Sequence, residues 1–387
     1  MPPQGGWQPQ QPGGQPPYGP PPSGYPQYSD PQQPYSGQQQ PPGFPQGPWP
    51  QQPSGPPPKG NSTKWLLIAI AVLLVIGVSI GATLLFTRDG GNDPSNPPTS
   101  GTPSDIASAN DTGPVSIITE EPTCKAFNTI QNGLADVQSH GWGEMRSGLG
   151  PASSWTPEQR GQVEAVATAM RNSADQVVPL AKQTPHRVVR EIYEQFIAYS
   201  RAYADSVADY RPAYDGMASV TVSAGNAISG ICNAIDSGST SRSLSLAPEG
   251  PPTETNPPGD PSTAERFIST SDSTCTDWTA RLDKFNAESP AEWQNRDGGI
   301  PGSQWSPERK ALEQSVRPQL TTFASEISAA GRSSGNPVLE DFALTAALYI
   351  NAYVAAGDDY TTADGWLVYT GFRVANLVAG ACRAVAG

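Results

Sequence analysis

Hydrophobic and polar positions fall into sharply different patterns along this chain. Residues 65–86, WLLIAIAVLLVIGVSIGATLLF, form 22 consecutive positions without a charge or a proline. As a helix rising ~1.5 Å per residue, that run reaches ~33 Å, enough to cross a hydrocarbon core of ~30 Å. A helix also satisfies its own backbone hydrogen bonds in lipid. Trp65–Phe86 is therefore expected to be a transmembrane helix. Beyond it, apolar residues recur at helical spacing in four stretches. They are Phe127, Ile130, Leu134 and Val137; then Val163, Val166, Met170, Ala174 and Val177; then Val188 to Tyr203; then Met217, Val220, Ala224, Ile228 and Ile231. Strand-like alternation is nearly absent.

The pattern repeats. At a shift of 150 residues Trp155 falls on Trp305, Pro157 on Pro307 and Glu158 on Glu308. Tyr199, Tyr203, Asp209 and Tyr210 fall on Tyr349, Tyr353, Asp359 and Tyr360, and Asn226, Gly230 and Cys232 on Asn376, Gly380 and Cys382. The matching types are mostly rare ones, so the spacing reads as a tandem duplication. In copy one, Thr156-Pro157-Glu158-Gln159 has the form of a capping box with proline at the first helical position. Ser306-Pro307-Glu308-Arg309 repeats the cap in copy two without the Gln. Pro179 is expected to kink the second helix.

These elements predict an all-α fold: one transmembrane helix followed by two tandem, duplicated four-helix up-down bundles. The expected segments are a disordered tail (1–64), the span (65–86), a flexible linker (87–118), helical repeat 1 (119–236), a second linker (237–261) and helical repeat 2 (262–387). In an up-down-up-down bundle the first helix starts and the fourth ends at the same end. Each copy has a cysteine at both places, so Cys124–Cys232 and Cys275–Cys382 are the pairs the duplication favours among three connectivities. Closing loops of that size adds ~4–5 kcal/mol in the chain-entropy model.

The tail resists folding by composition. Of its first 58 residues, 21 are Pro, 14 Gln and 10 Gly, too little apolar surface to offset ordering entropy. Polyproline-II character is expected there. Its aromatics, from Trp7 to Trp49, are either weak multivalent contacts or parts of a solvated spacer. Lys59 and Lys64 before the span against Arg88 after it favour a cytoplasmic N-terminus. All four cysteines lie beyond the span, which places that side in an oxidising compartment. A cleaved signal peptide would have a shorter apolar core nearer the N-terminus. Gly77 and Gly81 form a GxxxG pair that admits a homodimer, although glycine is also common in membrane helices.

The tail stretch PPYGPPPSGYPQY, one span, a Pro/Ser/Thr linker and a modest exported region together resemble single-pass envelope proteins of mycobacteria and related actinobacteria. The resemblance covers residues 1 to about 112 and implies a topology: cell membrane, single pass, C-terminal part extracytoplasmic.

Charge and chemistry narrow the function. The chain carries 23 Lys+Arg against 36 Asp+Glu; all but Lys59, Lys64 and Asp30 follow the span, leaving that part at net −14. Such a balance argues against nucleic acid as a partner. With two histidines, no CxxC, no P-loop and no HExxH, no metal site, cofactor or catalytic constellation is indicated. The candidate binding set is Tyr199, Tyr203, Asp209, Tyr210 and Asn226 with its copy Tyr349, Tyr353, Asp359, Tyr360 and Asn376. It reads either as core, with hydroxyls bonded to Asn226 or Asn376, or as an aromatic-polar groove. First-turn Glu158 and Glu308 suit the helix dipole. The reading is a non-enzymatic, single-pass envelope scaffold or accessory subunit that binds an envelope protein or component. The alternatives are a sensing module for an envelope lipid, glycan or peptide, and a carboxylate-dependent glycan hydrolase.

Overall fold

The computed structural model describes residues 105–243, 248–271 and 273–386. The tail, the Trp65–Phe86 span with Gly77 and Gly81, and linker residues 87–104 lie outside the described residues. Among the described residues the fold is all-helical, with eleven α-helices. Copy one contributes α1 (Cys124–Gln138), α2 (Trp142–Arg146), α3 (Pro157–Gln183), α4 (Arg187–Ser206), α5 (Asp215–Asp236) and α6 (Ser239–Arg242). Copy two contributes α7 (Ser273–Glu288), α8 (Ala291–Gln294), α9 (Pro307–Ser333), α10 (Pro337–Ala356) and α11 (Gly365–Ala384). The long helices α1, α3, α4 and α5 make one four-helix unit, and α7, α9, α10 and α11 make the other.

Local chemistry explains the helix starts. Thr156 Oγ1 accepts from Gln159 N at 3.2 Å and Gln159 Oε1 accepts from Thr156 N at 3.0 Å, closing the capping box that opens α3. Ser306 Oγ accepts from Arg309 N at 3.3 Å and opens α9 without the reciprocal bond. α3 continues past Pro179 to Gln183. Gly141, at φ +96°, turns the chain into α2, an element the glycine-rich sequence concealed. The disulfides are Cys124–Cys232 and Cys275–Cys382.

The two units share one continuous buried core. Their most extensive contact is α5 against α11, the two fourth helices, running antiparallel. Small residues permit the approach. A Cβ at Gly216 would collide with the backbone of Ala384, one at Gly380 would meet Val220 N at 3.1 Å, and one at Gly230 would collide with Thr370. Gly230 and Gly380 are 150 residues apart, as are Val220 and Thr370, so these contacts exchange under the duplication. The copies are thus related as the halves of an isologous dimer joined in one chain.

The described parts of both linkers are seated on the helices rather than standing as free stalks. Residues 105–121 and 248–271 lie as two straps over α4 and α10. Ile106, Val115, Ile117 and Ile118 are buried in the first, and Pro261 and Ile268 in the second. Glu249 N donates to Val115 O at 3.1 Å, joining strap to strap. Polar composition hid this, because a few apolar plugs and backbone carbonyls suffice to seat an extended segment. Among the described residues one helical segment, Pro337–Asp359, is long and apolar enough to cross a membrane, but 83% of its most apolar 18-residue window is buried inside this fold. It is α10 with its terminal turn, a core helix.

Candidate functional site

The recurrent tyrosines are all buried, and the structure closes the groove they could have lined. Tyr199 Oη donates to Ile268 O at 3.1 Å, and Tyr349 Oη accepts from Ile118 N at 3.4 Å. Ile118 and Ile268 are 150 residues apart, so each tyrosine holds the strap that leads into the other copy. Tyr203 Oη accepts from Trp142 Nε1 at 3.3 Å, while Tyr353 Oη donates to Glu313 Oε2 at 2.9 Å. Burial pushes the Tyr203 hydroxyl up to about 12 and that of Tyr353 higher. The Tyr210 ring lies tilted against Trp155 with centroids 5.1 Å apart, and Tyr360 stacks on Trp305 at 5.2 Å. The indole nitrogens of those tryptophans donate to Gly150 O and Ile300 O, both at 2.8 Å. Tyr360 Oη donates to Gly298 O at 2.8 Å.

The asparagines are not the hydroxyl partners that helical proximity allowed. The tyrosines reach instead to straps, α2 and α9. Asn226 is half-buried on α5, and Asn376 is buried on α11 with both amide atoms unbonded. Asp209 and Asp359 sit exposed on short 3-10 turns after α4 and α10, apart from the buried rings. Glu158 and Glu308 are exposed in first turns. Their own backbone N–H groups, then the capping hydroxyls of Thr156 and Ser306, hold their carboxyls below the usual range.

Two ionic clusters escaped the sequence reading. The first lies inside copy two. Glu313, 1% exposed, accepts from Trp293 Nε1 at 3.0 Å and from Tyr353, and its Oε1 lies 3.2 Å from Arg296 Nε and 2.9 Å from Arg309 Nη2. Arg296 lies over the Trp293 ring at 3.8 Å from its centroid. Every carboxylate oxygen is bonded.

The second cluster bridges the copies on the faces of α4 and α10 beneath the straps. Arg187 and Asp341 form a two-pronged pair, Nε to Oδ2 at 2.7 Å and Nη2 to Oδ1 at 3.0 Å, both side chains nearly without exposure. Arg187 also donates to Asp111 O at 2.6 Å and Gly113 O at 3.2 Å of the first strap. Arg190 donates to Ser108 Oγ at 3.1 Å, to Asn256 O of the second strap at 3.3 Å, and to Glu194 Oε1 at 2.9 Å. Gln195 accepts from Phe267 N at 3.0 Å and donates to Glu265 O at 3.2 Å. Arg187, Arg190, Glu194 and Gln195 follow helical spacing, so one face of α4 carries them all. That spacing was legible; its burial was not, because charged residues at this spacing ordinarily mark a solvated face.

A small cavity of about 130 Å³ opens between Phe267–Thr270, Thr274, Ser334, Asn336 and Leu339. Among the described residues no group of three or more His, Cys, Asp or Glu side chains is placed to hold a metal ion. His186 Nε2 lies 2.8 Å from Glu120 O on the first strap, and His140 is exposed.

Comparison with known proteins places residues 106–387 in a match to the family model described as Mycobacterial ESX-1 associated protein. An uncharacterised protein of Mycolicibacterium smegmatis (strain MKD8) is 45% identical over 338 residues, covering 86% of this chain and 89% of that protein. That share is larger than residues 106–387 can supply. The aligned stretch therefore reaches upstream through the Trp65–Phe86 run. No solved structure matches.

Proposed function

We propose, for a chain that belongs to the mycobacterial ESX-1 associated protein family, the role of a non-enzymatic, membrane-tethered accessory or scaffold protein of the secretion apparatus that family description names. The observation that carries this reading is the closed pseudo-twofold core. Two disulfides, a shared α5–α11 seam and bonded interior tyrosines make a rigid body whose interior is occupied by its own side chains. Such a body supports the presentation of surface to partners. Trp65–Phe86 supplies the anchor in this reading, with the tail cytoplasmic and the helical body outside.

A lipid- or glycan-sensing module would need an open aromatic groove, and the rings available for one are packed inside. A glycan hydrolase would need two acids across a cleft, whereas Asp209 and Asp359 are exposed on turns.

The test is affinity capture of the tagged full chain from detergent-solubilised mycobacterial membranes after in-cell crosslinking. Secretion-apparatus subunits should be enriched over a tagged control with an unrelated exported domain on the same span. Equal recovery with the control would sink the accessory role. Protease treatment of spheroplasts should digest the helical body and spare the tail. The reverse pattern would sink the topology.

A further inference from the structure

The α4–α10 seam holds one group that its surroundings do not satisfy. Glu191 sits on the strap-covered face of α4, between Arg187 and Gln195, and has no exposure. Neither of its carboxyl oxygens has a hydrogen-bond donor; the nearest cation, Arg190 Nη2, stands 3.5 Å away and is out of bonding geometry. Arg190 is committed to Glu194, Ser108 and the Asn256 carbonyl. Arg187 is committed to Asp341, Asp111 O and Gly113 O. Glu191 and Asp341 are 150 residues apart, so the duplication brings two equivalent acids to the junction of the copies.

Charged groups from three elements act on Glu191. From α4 they are Arg187, Arg190 and Glu194, from α10 Asp341, and from the first strap Asp111, which reaches it through Arg187. The second strap contributes the neutral carbonyl of Asn256. Two cations thus serve four acids. Asp341 is paired two-pronged with Arg187, and Glu191 is left over. A neutral carboxyl at Glu191 removes the conflict, since its O–H can donate to the Asp341 carboxylate.

We propose that the seam is a proton-dependent latch: Glu191 is protonated while the straps lie closed over α4 and α10, and its ionisation accompanies their release. Strap release admits water to the α4 face, because Arg187 and Arg190 hold both straps from that face. The first strap is also where the chain from residue 104 joins the folded body, so its release lengthens the connection between body and upstream chain. The inference concerns the fold alone and does not depend on the accessory role proposed above.

The sign follows from linkage. Burial first, then the Asp341 charge, raises the Glu191 carboxyl well above the usual range in the closed form. In the open form it returns to the ordinary carboxylate range. Closure therefore has its full proton contribution below the open-form value. It loses that contribution as pH rises toward the closed-form value, with strap opening increasing by up to about tenfold per pH unit between the two.

The experiment is amide hydrogen exchange on the full chain in detergent, from pH 5 to 8, corrected for intrinsic rates, reading peptides from 105–121 and 248–271. The wild type should lose strap protection as pH rises, while α5 and α11 stay protected. Glu191→Gln, which keeps a neutral group of the same shape, should flatten the profile with the straps closed. A flat wild-type profile, or an unchanged slope in Glu191→Gln, would overturn the latch. If Glu191→Gln folds poorly, carboxyl NMR of glutamate-labelled wild type decides the matter. One glutamate should titrate above the ordinary carboxylate range, and its absence would equally overturn the proposal.

Discussion

At the position where α3 of copy one buries Val163, α9 of copy two buries Glu313. The two copies otherwise keep the same parts there: Trp142 and Trp293, Tyr203 and Tyr353, Arg146 and Arg296. What differs is where the arginine finds its acid. In copy one, Arg146 Nε lies 2.6 Å from Asp215 Oδ1 at the partly exposed start of α5, and the Tyr203 hydroxyl accepts from Trp142 Nε1 rather than meeting an acid. Copy two has Gly365 in place of Asp215. Arg296 turns inward to Glu313, and the same aromatic cage closes over an ion pair. The strap-covered faces show the inverse division. There α4 carries Arg187, Arg190, Glu191 and Glu194, where α10 carries Pro337, Glu340, Asp341 and Leu344. One backbone plan thus tolerates charge at either layer, provided the partner moves with it.

The largest effect is expected from breaking the inward pair. Glu313→Val writes the copy-one residue into copy two but leaves Arg296 buried without a carboxylate. A loss of about 3–5 kcal/mol in urea unfolding is expected, the range for removing one partner of a buried pair. Val163→Ala in copy one leaves no stranded charge and should cost less. Equal losses would mean that Glu313 contributes by packing alone.

The disulfides come next. Removing Cys124–Cys232 or Cys275–Cys382 by paired serine substitution should cost about 2–4 kcal/mol each. Their sequence separations are 108 and 107, so loop entropy predicts near equality. Because the copies share one core, either loss should lower a single unfolding transition. Two separate transitions would show that the copies unfold independently.

Much of this was legible from residue types. Tyr199, Tyr203 and Tyr210 matched their copies at one shift, the cysteines bracketed each copy, and Thr156-Pro157 marked a helix start. Fold class and disulfide pairing follow from those. The shared core did not, because glycines within an apolar helix such as Gly230 and Gly380 also occur where nothing approaches. Strap burial was hidden for a related reason. Ile106 is an isolated apolar residue and Val115, Ile117 and Ile118 only a short cluster in polar sequence, and their seats are supplied by residues distant along the chain. The candidate site shows the limit best. Periodicity placed Tyr199 and Tyr203 on one face, but only tertiary structure tells whether such a face is covered.

The seam distinguishes two glycines that look alike in sequence. Gly216→Ala pushes a methyl into the Ala384 backbone, which is held within α11, and should cost about 1–3 kcal/mol. Gly230→Ala meets the Thr370 hydroxyl and the Tyr369 ring, side chains rather than backbone at closest approach, and should cost less. The order should appear in thermal midpoints. Its reversal would mean that the α5–α11 approach is looser on the Ala384 side.

The smallest effect is expected at the pair of acids that the duplication made conspicuous. Asp209 and Asp359 recur beside a tyrosine at the end of the third helix, where an acid opposes the helix dipole. Both are exposed on 3-10 turns, and the adjacent Tyr210 and Tyr360 rings turn inward, away from them. Asp209→Asn and Asp359→Asn should each change stability by less than about 0.5 kcal/mol, as for surface positions without a cap or buried partner. A loss above about 1 kcal/mol at either would mark a bond that holds the turn. A loss at one alone would place the asymmetry of the copies in these turns as well as in the buried layers. If both are silent, their recurrence is a property of the ancestral turn, and the working difference between the copies lies at Glu313 and along the Arg187–Asp341 seam.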